Sequence, residues 1–418
     1  WKSRSRRRCM DYLLRLFSLC LVAGLISISP VKADEQDDPS QPALKEWTLL
    51  VFLNGNNNLD TFGYQDMNEM EKVGSTSEVN VVVQWGSLRT KKVTRILVQK
   101  DSDSVNVTSP IVEDLGKVDM GSPTTLVDFV KWAQVRYPAK RYLVDVWNHG
   151  GGWHRVRVGG EAMRDVSWDD LTGNSISTEE LGVAIHEISE SLGQPLDIFS
   201  SDSCLMGMAE VAAQMKGVVD VFAASQETEP GPGWPYDKWL ERLVAKPTAT
   251  AEENAIMLTE TYVASYQGGT QGTKEVTFSA IKMSALESLE AAVQSFGTKI
   301  SALNEAGYAG VRTAIAQSRK FYYSDYVDIG DLMKKIKGQT VIATEEVTAA
   351  ADAVTEALNS LIVVNGVTPG YKAATGLSIW APGGRSTYAR YQKRYDALEF
   401  NIATDWSKAL NAVLPRTE

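Results

Sequence analysis

The feature that most constrains the fold is an alternation of short apolar runs with helix-like segments between residues 47 and 225. The runs Trp47–Leu53 and Arg141–Trp147 are almost continuously apolar, which is typical of parallel strands buried on both faces. Strands that alternate with helices predict an α/β fold with a mostly parallel sheet flanked by helices. In such a sheet, a binding or catalytic site is expected beyond the carboxyl ends of the strands.

The second half of the chain has a different pattern. Helical periodicity dominates residues 236–418, with strand-like segments only at Val276–Ile281, Leu361–Asn365 and Thr375–Trp380. We therefore predict an α/β domain over residues 47–235. The remainder is predicted to be a largely helical C-terminal region that packs on the sheet and adds strands at its edge.

The first 33 residues have the order of a secretory signal peptide. A basic stretch precedes the apolar run Leu16–Ile28, and small residues follow at the positions that a signal peptidase reads, Val31 and Ala33. This run is short for a membrane span, so no permanent membrane anchor is expected, and a short membrane helix is the alternative. Residues 34–46 are predicted to be a polar leader. The mature protein is then periplasmic or extracellular.

The charge of the chain limits its partners. The formal net charge is −10, and the predicted signal peptide carries seven of the basic residues and one acidic residue, which leaves −16 for the rest. So acidic a chain repels nucleic acid, which is therefore excluded as a partner. Its electrostatic field favours cationic ligands.

Cysteine usage singles out one residue. Cys9 and Cys20 fall within the predicted signal peptide, so Cys204 is the only thiol of the mature chain and cannot form an internal disulfide. A lone cysteine in an exported protein is either a buried small hydrophobe or a functional thiol. Cys204 and His149 each follow a predicted strand almost directly, which places both at the expected edge of the sheet.

The two residues have the chemistry of a nucleophile and its base. Cys204 lies near the start of a predicted helix, Met206–Met215, whose dipole is expected to lower the pKa of the thiol. His149 could accept the thiol proton and later protonate a leaving amine. The backbone N–H groups of Gly150 and Cys204 are candidate donors to an oxyanion. The alternative for His149 is a loop histidine without a catalytic role.

Other kinds of site find little support. His154, in the glycine-rich loop, is a weaker candidate base, and His186, on a predicted helix, is interpreted as structural. The sequence has no Cys/His cluster with zinc-ligand spacing, so no metal site is predicted from it. It also lacks the GxSxG, P-loop and GxGxxG motifs, which leaves serine hydrolases and nucleotide binding without an anchor.

The segments around His149 and Cys204 resemble the clostripain family of cysteine peptidases, within the caspase, gingipain and legumain group. The resemblance runs from about Trp47 to Trp406 and rests on five segments: Trp147–Trp153 (WNHGGGW), Ser201–Met206 (SDSCLM), Trp168–Asp170 (WDD), Pro230–Trp234 (PGPGW) and Gly376–Trp380 (GLSIW). It implies a caspase-like fold and an endopeptidase with a Cys204–His149 dyad that has no obligatory third member.

The resemblance also implies a specificity. Clostripain-like enzymes cleave after Arg, and some after Lys, and the acidic residue responsible matches Asp202. A carboxylate pairs with a guanidinium through two parallel hydrogen bonds, so we favour Arg over Lys. The alternative is that Asp202 caps the following helix. Glu227 and Glu229, after the next strand, are weaker candidates for the same substrate-binding pocket.

Family members are often cleaved between the two motifs, and here that segment contains Arg155, Arg157 and Arg164. We therefore expect self-cleavage there, because such loops are exposed.

The chemistry requires no cofactor. The family nevertheless includes calcium-dependent members, and Asp165, Asp169 and Asp170 are suitable oxygen ligands. An inactive binding protein on the same fold and a transpeptidase are the alternative functions.

Overall fold

The computed structural model describes residues 44–154, 156–158, 161–163 and 166–415. The predicted signal peptide lies outside these residues, as do nearly all of the predicted leader and the candidate residues Arg155, Arg164 and Asp165.

The strands of the described residues are, in chain order, β1 (Lys45–Gly55), β2 (Val79–Ser87), β3 (Lys92–Leu97), β4 (Ile111–Gly116), β5 (Ala139–Trp147), β6 (Val156–Val158), β7 (Glu161–Met163), β8 (Val166–Asp169), β9 (Asn174–Ile176), β10 (Leu196–Ser200), β11 (Val219–Ala224), β12 (Gln267–Gly269), β13 (Gly272–Thr273), β14 (Thr277–Lys282), β15 (Tyr326–Asp328), β16 (Ile362–Val367) and β17 (Ser378–Trp380).

The helices are α1 (Asp60–Glu71), α2 (Pro123–Arg136), α3 (Thr178–Leu192), α4 (Ala209–Ala213), α5 (Tyr236–Ala245), α6 (Ala251–Ser265), α7 (Leu286–Ser301), α8 (Glu305–Gln317), α9 (Ile329–Lys337), α10 (Glu345–Leu361), α11 (Arg385–Tyr395), α12 (Glu399–Thr404) and α13 (Trp406–Val413).

One large sheet organises the fold. Within the described residues it has nine strands in the order β16-β14-β11-β10-β5-β1-β2-β3-β4. The five central strands, β11, β10, β5, β1 and β2, run parallel to one another. The two outer strands on each side are added antiparallel to their inner neighbours. The predicted α/β fold with a mostly parallel sheet flanked by helices is confirmed.

Both faces of the sheet are covered, which explains the continuous apolar runs in the sequence. Along β1, Leu50 and Phe52 belong to one core, with residues of α2, α3, α7 and α10. Leu49 and Val51 belong to the other core, with residues of α1, α5 and α6. Full burial of one such side chain contributes roughly 1.5–3 kcal/mol, so a strand apolar on both faces is strongly held at the centre.

Local signals in the sequence mark the ends of several helices. Pro123 occupies the first turn of α2, where its missing N–H has no cost. Ser177 and Glu180 form a capping box at the start of α3, each side chain bonding the other's backbone N–H. Gly193 ends that helix with a positive φ of 70°.

The C-terminal region contributes to the sheet as well as to its cover. Strands β14 and β16 extend the sheet next to β11, and the described residues on either side of position 235 belong to one compact unit. Among the described residues, no helix combines the length and the apolar character that crossing a membrane requires.

Three elements predicted from the sequence differ from the structure, either in their residue range or in the strand with which they pair. The helix expected over Met206–Met215 is only α4, because Gly207 N–H donates to Ser225 O (2.7 Å) and Gly207 O accepts from Ser378 N–H (3.0 Å). Ser324–Ile336, which lies within the region predicted to be largely helical and has a helical pattern in the sequence, is β15 followed by α9. The strand expected at Thr375–Trp380 is the shorter β17, which pairs with β15 instead of joining the large sheet.

Candidate active site

Loops that follow β5, β10 and β11 meet at the carboxyl edge of the sheet. The backbone N–H of Asn148 donates to the carbonyl of Asp202 at 3.2 Å, which joins the first loop to the second. The N–H of Leu205 donates to the carbonyl of Glu227 at 3.1 Å, which joins the second to the third. The histidine and cysteine segments are thus brought together, as the strand pattern predicts.

Gly150 shows how closely the two segments pack. A Cβ atom on Gly150 would lie 2.3 Å from the carbonyl oxygen of Cys204 and 3.0 Å from Oγ of Ser203. No side chain fits at these separations, so glycine is required for close approach of the backbones. Gly151 is also held in place, because Tyr326 Oη donates a hydrogen bond to its carbonyl at 2.6 Å.

His149 is half-buried beside the turn that follows β1. Its Nε2 lies 2.7 Å from Oδ1 of Asn58. Burial lowers the pKa of His149 below 6.5, and the negative charge of Asp170 partly offsets that effect. The imidazole is therefore neutral at pH 7 and able to accept a proton.

The thiol of Cys204 is held by the third loop. Sγ accepts a hydrogen bond from the backbone N–H of Glu229 at 3.3 Å. The next residue, Leu205, is buried and adopts a positive φ of 65°, a strained conformation for a leucine that turns the chain sharply after Cys204. Such strain is common at functional sites, and here it lies directly beside the thiol.

The predicted lowering of the thiol pKa is wrong. Helix α4 begins at Ala209 and is only five residues long, so its dipole does not act on Cys204. Burial instead raises the pKa of Cys204 to about 11, with the charges of Glu227 and Asp202 acting in the same direction and the Glu229 N–H opposing them. The free protein therefore holds a neutral thiol and a neutral imidazole, so the candidate pair would have to move a proton before the thiol could act as a nucleophile.

Thiol alkylation tests this assignment. We expect the rate of Cys204 modification by iodoacetamide to rise about tenfold per pH unit between pH 7 and 9, because the thiolate fraction grows by that factor below the pKa. No plateau is expected near pH 6. A fast rate that is independent of pH below 6 would instead indicate a preformed thiolate–imidazolium pair.

The two predicted oxyanion donors are the backbone N–H groups of Cys204 and Gly150. Within the part of the chain that the structure describes, the backbone N–H of Cys204 donates to no other residue. Gly150 takes part in an isolated β-bridge with Val166. The role of either N–H group as a donor to an oxyanion stays a prediction.

Asp202, two residues before Cys204, is buried, with 4% of its surface exposed. Its Oδ2 accepts hydrogen bonds from Tyr236 Oη at 3.0 Å and from the backbone N–H of Trp234 at 3.2 Å. The N-cap of α4 is Met208, so the alternative role of Asp202 as a helix cap is wrong. Burial raises the pKa of Asp202 to about 6.

Further acidic residues surround Asp202. Asp145 accepts from the Asp202 backbone N–H at 2.9 Å, and its Oδ2 lies 2.9 Å from Tyr236 Oη, whose single proton is shared between Asp145 and Asp202. Asp66 accepts from Trp147 Nε1 at 2.7 Å. Burial, followed by the charge of Asp202, raises the pKa values of both carboxyls well above their usual range. Among the described residues, no lysine or arginine forms an ion pair with any of these three carboxyls.

Glu229 meets the same cluster. Both of its carboxyl oxygens are buried and receive no hydrogen bond from a protein donor. Burial and then the charge of Asp202 raise the pKa of Glu229 well above its usual value. A protonated Glu229 can donate a hydrogen bond to the carboxylate of Asp202. Such a bond lowers the pKa of Asp202, the acceptor, and raises the pKa of Glu229, the donor. Glu229 thus lies beside Asp202, and its predicted contact with substrate stays a prediction.

Glu227 is engaged within the protein. One of its carboxylate oxygens accepts from Tyr371 Oη at 2.8 Å, and the other accepts from the backbone N–H groups of Thr228 at 2.8 Å and Tyr322 at 3.2 Å. It supports the third loop, and its predicted contact with substrate stays a prediction.

The other two histidines lie apart from this chemistry. His154 is buried and stacks on Tyr391 with ring centroids 4.2 Å apart, and burial lowers its pKa to about 3. Its Nε2 is 3.3 Å from a carboxylate oxygen of Asp325, without the geometry of a hydrogen bond. His186 is exposed on α3, as the sequence suggests.

The aspartates considered as calcium ligands have different environments. The carboxylate of Asp169 accepts hydrogen bonds from Asn56 Nδ2 and from the N–H groups of Met120 and Leu171, at 2.8–3.0 Å. Asp170 is exposed and accepts from Trp168 Nε1. The described residues contain no group of three or more acidic, histidine or cysteine side chains arranged to hold a metal ion.

Sequence reasoning missed Asn58, Asp66, Asp145 and Tyr236. Asn58 could have been found, since the turn Asn54–Asn58 follows β1 at the same edge of the sheet as the two motifs. The other three lie inside a strand or a helix, where no local signal separates them from structural residues.

The comparisons with known proteins agree with this geometry. The profile of the clostripain family matches residues 51–412. This chain belongs to the clostripain family. The resemblance of the two motifs is thereby confirmed.

A curated relative, clostripain of Hathewaya histolytica, is 26% identical over 317 residues, which are 66% of this chain. The match spans 59% of that relative's length.

Solved structures show the same fold. A secreted C11 cysteine protease from Bacteroides thetaiotaomicron, in complex with an irreversible peptide inhibitor, has a TM-score of 0.66 at 22% identity. An inactive zymogen C11 protease from Parabacteroides distasonis has a TM-score of 0.66 at 20% identity. Both matches cover 87% of this chain and 99% of the other. They confirm the α/β fold with a large, mostly parallel sheet flanked by helices.

Proposed function

We propose that this chain is an exported cysteine endopeptidase that hydrolyses peptide bonds after arginine, with Cys204 as nucleophile and His149 as base. One observation carries the proposal. The histidine and cysteine loops pack against each other at the sheet edge, beside a buried carboxyl cluster around Asp202 that has no cation partner among the described residues. Buried charges are normally paired, so this cluster is suited to a cationic side chain from outside.

The proposed reaction uses the neutral pair. His149 accepts the thiol proton as Sγ of Cys204 attacks the scissile carbonyl carbon. The carbonyl oxygen becomes an oxyanion, to which the Cys204 N–H donates. His149 then gives its proton to the leaving amine as the C–N bond breaks, which leaves a thioester. Water attacks the thioester with its proton passing to His149, and the acid product leaves as the thiol is restored.

The proposed specificity follows from the charge and shape of guanidinium. Asp202 can accept two parallel hydrogen bonds from arginine, and Glu229 adds a second carboxyl beside it. Lysine presents a point charge with less directional bonding, so it is expected as the poorer substrate. Since the pKa of Asp202 is about 6, its ionised form, and with it arginine binding, is lost as pH falls below that value.

A set of fluorogenic peptides tests the proposal. Peptides that end in Arg, Lys, Asp or the neutral arginine isostere citrulline, and otherwise have the same sequence, are assayed with the wild type and with Cys204→Ala. We expect cleavage of the Arg peptide first, then Lys, with no cleavage of Asp or by the variant. Hydrolysis of none of the peptides would overturn the peptidase assignment. A joined peptide product in place of acid would favour a transpeptidase.

We also propose self-cleavage between His149 and Cys204. The candidate sites are Arg155, Arg157 and Arg164; of these, Arg157 falls in β6, which pairs with β7. A related C11 protease is described as an inactive zymogen, which supports a processing step in such proteins. The wild type is expected to run as two fragments on a denaturing gel, while Cys204→Ala stays a single chain. Equal fragmentation of both proteins would exclude self-cleavage.

Export is part of the proposal. It rests on the order of the first 33 residues and on a structural neighbour that is described as secreted. The proposed chemistry needs only residues of this chain, and calcium dependence stays a prediction.

A further inference from the structure

We propose that Asn58 is a positioning residue that sets the tautomer of His149, and so makes Nδ1 of the imidazole the atom that receives the proton of Cys204. The inference rests on the proposed function and adds a third side chain to a pair for which the family resemblance requires none. Its basis is the 2.7 Å contact between Asn58 Oδ1 and His149 Nε2.

The chemistry of the contact determines the tautomer. A neutral imidazole has one N–H donor and one acceptor nitrogen, and burial of His149 lowers its pKa and keeps the ring neutral. The carbonyl oxygen of asparagine only accepts, so Nε2 carries the proton and donates to Asn58. The lone pair is then on Nδ1, which is free to act as the base.

The turn that carries Asn58 is rigidly tied to the histidine segment. Asn57 Nδ2 donates to the carbonyl of Trp168 at 2.8 Å, and Asn148 Nδ2 donates to the carbonyl of Asn54 at 2.6 Å. Asn148 also accepts from the N–H of Trp168 at 2.8 Å through Oδ1. The residues preceding Asn58 and His149 are therefore joined in one network, which fixes the separation of the two side chains.

Among the described residues, the charged side chain that acts on the imidazole of His149 is Asp170. Its negative charge favours protonation of the ring. Asp170 also accepts a hydrogen bond from Trp168 Nε1, so it is held by the same segment. Asn58 adds no charge of its own, and its replacement by alanine should change the orientation and tautomer of the ring more than its pKa.

Kinetics of two variants test the inference. Asn58→Ala is expected to lower kcat for the Arg peptide by about tenfold to a hundredfold, with KM within about twofold, because positioned proton transfer contributes on the order of 10²–10⁴ to rate. Asn58→Asp keeps an acceptor that cannot donate. It should restore most of kcat and move the acid limb of the pH profile to higher pH, since a carboxylate raises the pKa of His149.

The control is Asn106→Ala, an exposed asparagine in a remote loop that should leave kcat and the pH profile unchanged. Unchanged kcat in Asn58→Ala would overturn the inference. Equal loss in Asn58→Ala and Asn58→Asp would overturn it too, since an acceptor would then not be what the position requires.

A second readout does not depend on peptidase activity. In protein labelled with ¹⁵N-histidine, the His149 signals are assigned by comparison with His154→Ala and His186→Ala. We expect the Nε2–H tautomer in the wild type and a mixture of tautomers in Asn58→Ala. An Nδ1–H tautomer in the wild type would contradict the inference, even if no peptide is cleaved and the proposed function itself has failed.

Discussion

Replacement of His149 by alanine is expected to lower kcat/KM for an Arg peptide by about four orders of magnitude, because among the described residues no second imidazole lies at the site to take the thiol proton. The pKa of Cys204 is about 11, so only a very small fraction of the protein holds a thiolate at pH 7 without a base. The activity of His149→Ala should therefore rise with pH up to the stability limit of the protein, whereas the wild type should level off once the imidazole is neutral.

The chain offers a matched control for this variant. His186→Ala removes an exposed histidine from α3 and should leave kcat/KM within about twofold of the wild type. Cys204→Ala should be at least as inactive as His149→Ala, and the double variant should lose little more, because the two residues act as one unit. A His149→Ala protein that keeps a tenth of the wild-type activity would exclude His149 as the base.

Asp202→Asn is expected to lower kcat/KM for the Arg peptide by about a hundredfold to a thousandfold, as when one member of a buried charge pair is removed. An asparagine oxygen can still accept from Tyr236 Oη and from the Trp234 N–H, so the loop should keep its conformation. This loss of activity should be limited to substrates with a positively charged side chain. Cleavage of the neutral citrulline peptide should change little, and the preference for Arg over citrulline should nearly disappear.

Two measurements separate this effect from a general loss of structure. Asp220→Asn makes the same substitution at an exposed position near the start of the neighbouring strand and should leave both peptides unaffected. The Tm of Asp202→Asn should not fall, since one carboxylate is removed from an acidic cluster. If Arg and citrulline peptides lose activity equally in Asp202→Asn, the carboxylate does not recognise the guanidinium.

Elements with strong local signals were predicted well. The sequence predicts a helix over Thr178–Leu192 and a strand over Leu196–Ser200, and these are the observed bounds of α3 and β10. An acidic first turn marks the helix, and a short apolar run marks the strand. The helix expected directly after Cys204 begins later than predicted. The backbone N–H and carbonyl of Gly207 bond instead to Ser225 and Ser378, which are distant in the sequence.

The candidate site divides in the same way. His149, Gly150, Cys204 and Asp202 could be found because each follows a strand at the edge where parallel strands end. Asn58 obeys the same rule but carries no catalytic side chain that would single it out.

Apolar periodicity in the sequence is enough to predict the sheet and its carboxyl edge, and the residues directly after strands single out Cys204 and His149 as the candidate nucleophile and base. The protonation states of these residues and their hydrogen-bond partners, in contrast, depend on the tertiary structure. Burial raises the pKa of Cys204, where a helix dipole was expected to lower it, and a cluster of carboxyls surrounds Asp202 in place of a helix end. The physical reason is that burial and charge sum over neighbours from many parts of the chain, which no local pattern records.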